Sequence, residues 1–205
     1  FTDLRGSTAM YNGIGDAPAY NLVRNHFQVL MDVVREHRGA IVKTIGDAIM
    51  AGFSRVDEAL AAVKQMHERL PQASEAAAGP RLTLKTGLHI GPCLAVNAND
   101  RLDFFGTTVN LAARMVDCSQ GNDVVISNEL HETPDAQRFL AAGQRTAEPL
   151  ELRFRGFDAP LKVWRIQLAG EPPPSQVAPA TPARTLAIPA GQRLPASSRP
   201  PVPQS

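Results

Sequence analysis

The sequence has no run of about 18 apolar residues, so nothing in it reads as a membrane-spanning helix. Cysteine is scarce. Cys93 and Cys118 are the only two, which argues against a disulfide framework and for free thiols, small apolar fillers in a reducing compartment. Charge of one sign is also lacking: 21 Lys and Arg against 20 Asp and Glu leave a formal net charge of +1. Without a basic excess to displace counterions, the electrostatic argument for a nucleic-acid partner falls away. No charged and apolar leader opens the chain, and its first residue is Phe1 rather than Met. The reading is of a fragment, with any sensor domain or membrane tether lying upstream.

What is present suits one core of ordinary size: 205 residues, 43% of them hydrophobic. Composition shifts near Gly170. Ten of the 17 prolines lie between there and Ser205, among Ala, Ser and Gln, with too little apolar material to offset the entropy of ordering. Residues 170–205 are expected to be a disordered tail, and residues 1–169 the folded domain. Within the tail, Arg199-Pro200-Pro201-Val202-Pro203 also suits a polyproline-binding groove.

The folded part reads as alternating strands and helices. Phe1 to Leu4 resembles the end of a strand, and Gly6-Ser7-Thr8 a turn into a helix start. Val23, Phe27, Leu30 and Val34 recur at helical spacing within a predicted helix from Pro18 to His37, stopped by Arg38-Gly39. Two apolar runs, Ala40 to Ile45 and Ala48 to Phe53, flank Gly46-Asp47 as in a hairpin. Ser54 and Asp57 resemble a capping box opening a helix to about Leu70, and Pro71 to Pro80 reads as a loop. Strands are expected at Leu82–Ile90, Cys93–Val96, Arg101–Phe104 and Val124–Ser127, and a short helix at Thr107–Val116. Glu129–Ala142 is irregular or partly helical, and Leu150–Phe154 with Leu161–Leu168 forms a last hairpin. The mixture predicts an α/β sandwich, a sheet covered by helices.

Three polar clusters interrupt this pattern. In Phe1-Thr2-Asp3-Leu4-Arg5-Gly6-Ser7-Thr8 a carboxylate at a strand end leads into a helix start, where free amides favour phosphate oxygens. A carboxylate beside phosphates calls for a divalent cation between them. Alone, the same residues also make an ordinary cap and turn. In Lys43-Thr44-Ile45-Gly46-Asp47-Ala48 a second carboxylate sits in a hairpin turn, and Lys43 lies among apolar neighbours that would leave it needing a partner. In Asp103-Phe104-Phe105-Gly106 to Arg114, Asn110 and Arg114 share one helical face. An amide and a guanidinium there can hold a sugar oxygen and a phosphate, or simply form a wet polar face.

Taken together and in this order, the clusters resemble the catalytic domain of class III nucleotidyl cyclases, from Phe1 to about Leu168. Phe1–Thr8 is similar to that family's F-x-D-x-x-G-[FS]-T segment, Lys43–Ala48 to its K-x-x-G-D-A segment, and Asp103–Arg114 to its D-x-x-G followed by N-x-x-x-R. Gly87-Leu88-His89-Ile90-Gly91-Pro92 also looks like a family strand, although His89 reads as a packed residue without a chemical role. The resemblance implies a ferredoxin-like or palm-type mixed sheet covered by helices. It implies conversion of a nucleoside triphosphate to a 3′,5′-cyclic nucleotide and pyrophosphate, supported by two divalent cations, Mg²⁺ or Mn²⁺. Asp3, Asp47 and the Leu4 carbonyl would hold the cations. Gly6, Ser7 and Thr8 would receive phosphate oxygens, Asn110 the ribose, and Arg114 the charge growing on the α-phosphate. Lys43 and Asp103 would read the purine, and their donor and acceptor pattern implies ATP as substrate. Family members that make cyclic GMP resemble this chain except for Glu and Cys or Ser at those two places.

The family's terminal-phosphate Lys has no clean match. Arg155 is the first candidate and Lys162 the second, because Leu152 to Lys162 aligns with a length difference. The resemblance further implies a head-to-tail homodimer with shared sites, one chain giving Asp3 and Asp47 and the other Lys43, Asp103, Asn110 and Arg114. A cytoplasmic location follows from the substrate and the thiols. Against this stand a silent nucleotide-binding regulator, a guanylate cyclase of the same fold, a palm-type polymerase or diguanylate cyclase relative, and a pure interaction module. The complete polar set argues against the silent regulator. The third lacks its Gly-Gly-(Asp/Glu)-(Glu/Asp)-Phe turn here, and only the proline-rich tail supports the last.

Overall fold

The computed structural model describes residues 1–76, 80–98 and 101–168. The proline-rich stretch at 170–205 lies outside them. The chain opens with β1 (Thr2–Leu4), α1 (Ser7–Ile14) and α2 (Asp16–Glu36), followed by the hairpin β2 (Ala40–Ile45) and β3 (Ala48–Gly52) and by α3 (Val56–Ala76). Then come β4 (Leu84–Leu88), the hairpin β5 (Leu94–Ala98) and β6 (Arg101–Phe105), α4 (Thr107–Cys118) and β7 (Asp123–Ser127). Two short helices, α5 (Asn128–His131) and α6 (Pro134–Ala142), precede the closing hairpin β8 (Ala147–Leu152) and β9 (Leu161–Gln167).

Five strands form one mixed sheet in the order β1-β4-β7-β9-β8. Only β4 and β7 run parallel, and the crossover that parallel neighbours need is made by β5, β6 and α4. All five residues of β7 are buried, as befits a central strand covered on both faces. Val124 and Ile126 pack with Leu60 and Val63 of α3 and with α5 and α6. Val125 packs on the other face with Leu111 and Met115 of α4. Leu4 and Leu84 join α2 and α3 through Leu30, Val33, Val34, Met66 and Leu70. Each such buried side chain stabilises the fold by about 1.5–3 kcal/mol. Gly87 lets α4 approach closely, since a Cβ there would stand 2.7 Å from the Val116 amide nitrogen.

The structure corrects three expectations and sharpens a fourth. The loop expected from Pro71 is helix as far as Ala76, with Pro71 inside α3. Leu70 is almost wholly buried, and the buried Ser74 hydroxyl donates to the Leu70 carbonyl at 3.0 Å. Packing on both sides thus outweighs the hydrogen bond that proline removes. The Ser54–Asp57 capping box does not form, because Asp57 accepts two bonds from Arg55, at 2.9 and 2.7 Å. The stretch 129–142 resolves into two helices, capped by the Ser127 and Thr133 side chains. Cys93 is exposed rather than a core filler, whereas Cys118 is half-buried against the α4 face of the sheet.

Candidate functional site

Alternation along β1 buries Thr2 and Leu4 and leaves Asp3 half-buried on the opposite face. The antiparallel register sets Lys85 of β4 directly across from it, with Nζ 3.8 Å from Asp3 Oδ2. Asp47 occupies the β2–β3 turn beside Gly46, whose φ of 63° is a conformation that glycine accepts without strain. Asp47 Oδ2 is buried and has no hydrogen-bond partner. Two side chains from outside the hairpin hold this turn. His26 of α2 brings Nε2 to 3.2 Å from the Asp47 carbonyl, and the Ile49 amide donates to Thr2 Oγ1 at 3.1 Å. Burial lowers the His26 ring to about 4, so it is neutral near neutral pH.

Burial, then the Asp47 charge, push the Asp3 carboxyl above its ordinary value, with Asp117 adding to this and Lys85 opposing it. The Asp47 charge thus acts on Asp3 with one lysine opposing it, and one buried carboxylate oxygen lacks a donor among the described residues. A hard divalent cation with oxygen ligands fits this donor set. Among the described residues no group of three or more His, Cys, Asp or Glu side chains converges. Protein carboxylates alone would therefore leave a cation under-coordinated, the pattern expected where substrate phosphates complete the shell. Gly6 precedes α1 in a left-handed conformation with no side-chain cap bond, so the first-turn amides of Ser7 and Thr8 are left to an anion rather than capped.

This charge arrangement gives a stability prediction. The metal-free fold favours protonated Asp3 relative to the unfolded chain. The ionised carboxylate therefore costs stability above its raised pKa, and that cost disappears as pH falls through it. Asp3→Asn is expected to raise the melting midpoint of the metal-free protein near neutral pH, and, if Asp3 holds a divalent cation, to abolish a rise in midpoint on adding Mn²⁺. Thermal melts with and without the ion check both. A lower midpoint for the metal-free variant contradicts the charge argument.

A second cluster lies where β2 meets β6. Lys43 Nζ donates to both Asp103 oxygens, at 2.9 and 2.6 Å, and stands 5.7 Å from the Phe105 ring centroid. The register of β2 against β3 shifts between Ile41 and Lys43. Such a bulge re-aims the following side chain, here toward β6. The Lys43 hydrogen bond holds the Asp103 carboxyl below its usual range, and the Phe104 amide also donates to Asp103, at 2.8 Å. The partner that Lys43 needs is thus Asp103, 60 positions away.

Asn110 is exposed one turn before Arg114 on α4. Arg114 lies 5.8 Å from the Phe157 ring centroid and has no carboxylate partner among the described residues. Arg155 is exposed in the β8–β9 connection; a Cβ on its neighbour Gly156 would stand 3.6 Å from Arg114 Nη1. Lys162 instead lies over Trp164, at 4.5 Å. Its strand position is beyond Val163, which pairs with Ser127, whereas Asp3 belongs to the row of Lys85 and Asp123. Lys162, like the β8–β9 connection that carries Arg155, is therefore at the other end of the sheet from Asp3 of the same chain. Sequence reasoning missed Lys85, Asp117 and His26. For Lys85 the signal was available, since a lysine between Leu84 and Thr86 raises the same need for a partner as Lys43.

A family model described as the adenylate and guanylate cyclase catalytic domain matches residues 1–156. An uncharacterized protein of Mycobacterium tuberculosis is 31% identical over 166 residues, 81% of this chain and 40% of the relative. The chain thus spans about two fifths of the length of that relative. The crystal structure of a guanylyl cyclase superposes with a TM-score of 0.68 at 22% identity, covering 83% of this chain and 91% of that one. The adenylyl cyclase CyaB from P. aeruginosa superposes at 0.65 with 20% identity, covering 83% and 93%. At these identities the two superpositions establish the fold, an α+β mixed sheet with helices.

Proposed function

The chain belongs to the adenylate and guanylate cyclase catalytic-domain family, and from that premise we propose that it converts ATP to 3′,5′-cyclic AMP and pyrophosphate. The observation that carries the choice of base is the Lys43–Asp103 pair. Adenine presents an acceptor at N1 and a donor at its 6-amino group. Guanine reverses these, with a donor at N1 and an acceptor at O6. Lys43 only donates and ionised Asp103 only accepts. Guanine in the same place sets donor against donor at Lys43 and acceptor against acceptor at Asp103, at about 1–3 kcal/mol each.

In the reaction the ribose 3′-oxygen bonds to the α-phosphorus, the bond from that phosphorus to the oxygen bridging to the β-phosphate breaks so that pyrophosphate leaves with it, and the 3′ proton passes to water. Two divalent cations, Mg²⁺ or Mn²⁺, bound by Asp3, Asp47 and the Leu4 carbonyl, would supply Lewis acidity toward the 3′-hydroxyl and the phosphates. The amides of Gly6, Ser7 and Thr8 would donate to the terminal phosphates, with Arg155 of the second chain of the dimer as the basic residue that meets them. Asn110 orients the ribose. Arg114, free of any described carboxylate, answers the charge that develops on the α-phosphate. Arg114→Ala is expected to lower kcat by about 10²–10³ with a smaller change in KM. Steady-state kinetics decide it, and a change confined to KM contradicts a transition-state role.

The working unit is proposed to be a homodimer with sites shared between chains. Exposed Leu94, Leu102 and Phe105, at 66%, 58% and 47% of their accessible surface, lie on the β5–β6 hairpin that carries Asp103, with Ile45 and Ile90 also exposed. Such an apolar patch suits association. No described helix is long and apolar enough to cross a membrane.

Incubation with ATP or GTP and Mn²⁺, with the cyclic product identified by chromatography, tests the proposal. Cyclic AMP is expected, with GTP used at least about 100-fold less efficiently. Cyclic GMP formed at an equal or higher rate contradicts the assignment.

A further inference from the structure

We infer that His26 and Thr2 are positioning residues that fix the separation of the two acidic side chains; this rests on the cation-dependent reaction proposed above. Asp47 sits at the tip of a hairpin, the part of such an element with the most freedom. Among the described residues, two side-chain hydrogen bonds from outside the hairpin reach the Asp47 turn and the start of β3 that follows it. His26 Nε2 meets the Asp47 carbonyl at 3.2 Å, and Thr2 Oγ1 accepts from the Ile49 amide at 3.1 Å. Because a carbonyl only accepts, the His26 nitrogen facing it carries the proton.

The burial of His26 makes its bond more than incidental. The ring has no exposed surface, and its Nδ1 has no partner. An apolar side chain would fill the same space without the cost of a buried unpaired nitrogen. What the imidazole adds is the single bond to the metal-binding turn. Thr2 acts from the other side. It immediately precedes Asp3, so one residue of β1 links the backbone of the first carboxylate to the strand that follows the second. Asp47 Oδ2 takes no hydrogen bond of its own, so the carboxylate is placed through its backbone. This is the role that outer-shell hydrogen bonds play around metal ligands, where their loss costs about 10- to 100-fold in affinity.

The test uses the full chain and Mn²⁺ alone, with the free ion followed by electron paramagnetic resonance, alongside the Mn²⁺ concentration for half-maximal turnover. His26→Leu and Thr2→Val are each expected to weaken Mn²⁺ binding about tenfold and to raise the half-activating concentration by the same factor, with KM for ATP little changed at saturating ion. His26→Gln and Thr2→Ser, which keep a donor and an acceptor, are expected to recover most of the loss. If either apolar variant fails to fold, the other pair decides the matter. Wild-type affinity in the folded apolar variants overturns the positioning role, and so does an equal loss in the conservative ones. A wild-type chain that neither binds Mn²⁺ nor cyclises a nucleotide overturns the proposed reaction itself, and this inference with it.

Discussion

Asp47→Ala and Asn110→Ala proteins are each expected to lose about 10³-fold or more in turnover, and an equimolar mixture to recover about a quarter of wild-type activity. The loss follows from where the two residues stand. Asp47 supplies a buried carboxylate oxygen that no donor among the described residues satisfies. Asn110 is exposed on the α4 face that also carries Arg114. The recovery follows from symmetry. Random exchange makes half of all dimers mixed. Each mixed dimer unites the intact carboxylate pair of one chain with the intact Asn110 of the other at one of its two sites, while its second site carries both lesions. Half of the dimers with one working site in two gives a quarter. A mixture that stays inactive, although both variants fold and exchange subunits, contradicts shared sites and places all the chemistry within one chain.

The second large effect concerns the base. Lys43→Glu combined with Asp103→Cys is expected to lower kcat/KM for ATP by about 10²–10³ and to make GTP the better substrate. Both changes are needed. Lys43→Glu alone sets a carboxylate against Asp103, whose oxygens now lie 2.9 and 2.6 Å from the lysine nitrogen. Like charges at that distance would force the two strands apart or raise a carboxyl pKa. The double variant removes the repulsion and presents an acceptor where a donor stood. Initial rates with each nucleotide decide this, and an unchanged ATP preference shows that the purine is read elsewhere.

Much of this site was legible in the linear sequence because its residues sit at element ends. Asp3 lies one residue from the end of a strand, Asp47 lies in a hairpin turn and Asn110 shares a helix face with Arg114. Strand ends and turns are marked by local composition, and helical spacing places two residues on one side without reference to anything distant. The long helix α2 and the β2–β3 hairpin emerged for the same reason. What did not emerge depends on register and packing. Lys85 faces Asp3 only because β1 pairs with β4 in one particular alignment. The irregularity that turns Lys43 toward Asp103 arises between two strands rather than within either. Pro71 argued locally for a break, and burial of Leu70 and Ser74 overruled it. His26 carries no local signal within the amphipathic helix α2, and only the folded chain brings its ring to the Asp47 carbonyl.

The most direct measurement is anomalous diffraction from crystals grown with Mn²⁺ and an ATP analogue that lacks the 3′-hydroxyl. The account predicts Mn²⁺ peaks ligated by oxygens of Asp3 and Asp47, with phosphate oxygens completing their coordination and the adenine edge against Lys43 and Asp103. Manganese bound away from both carboxylates, or a purine that touches neither Lys43 nor Asp103, would contradict it.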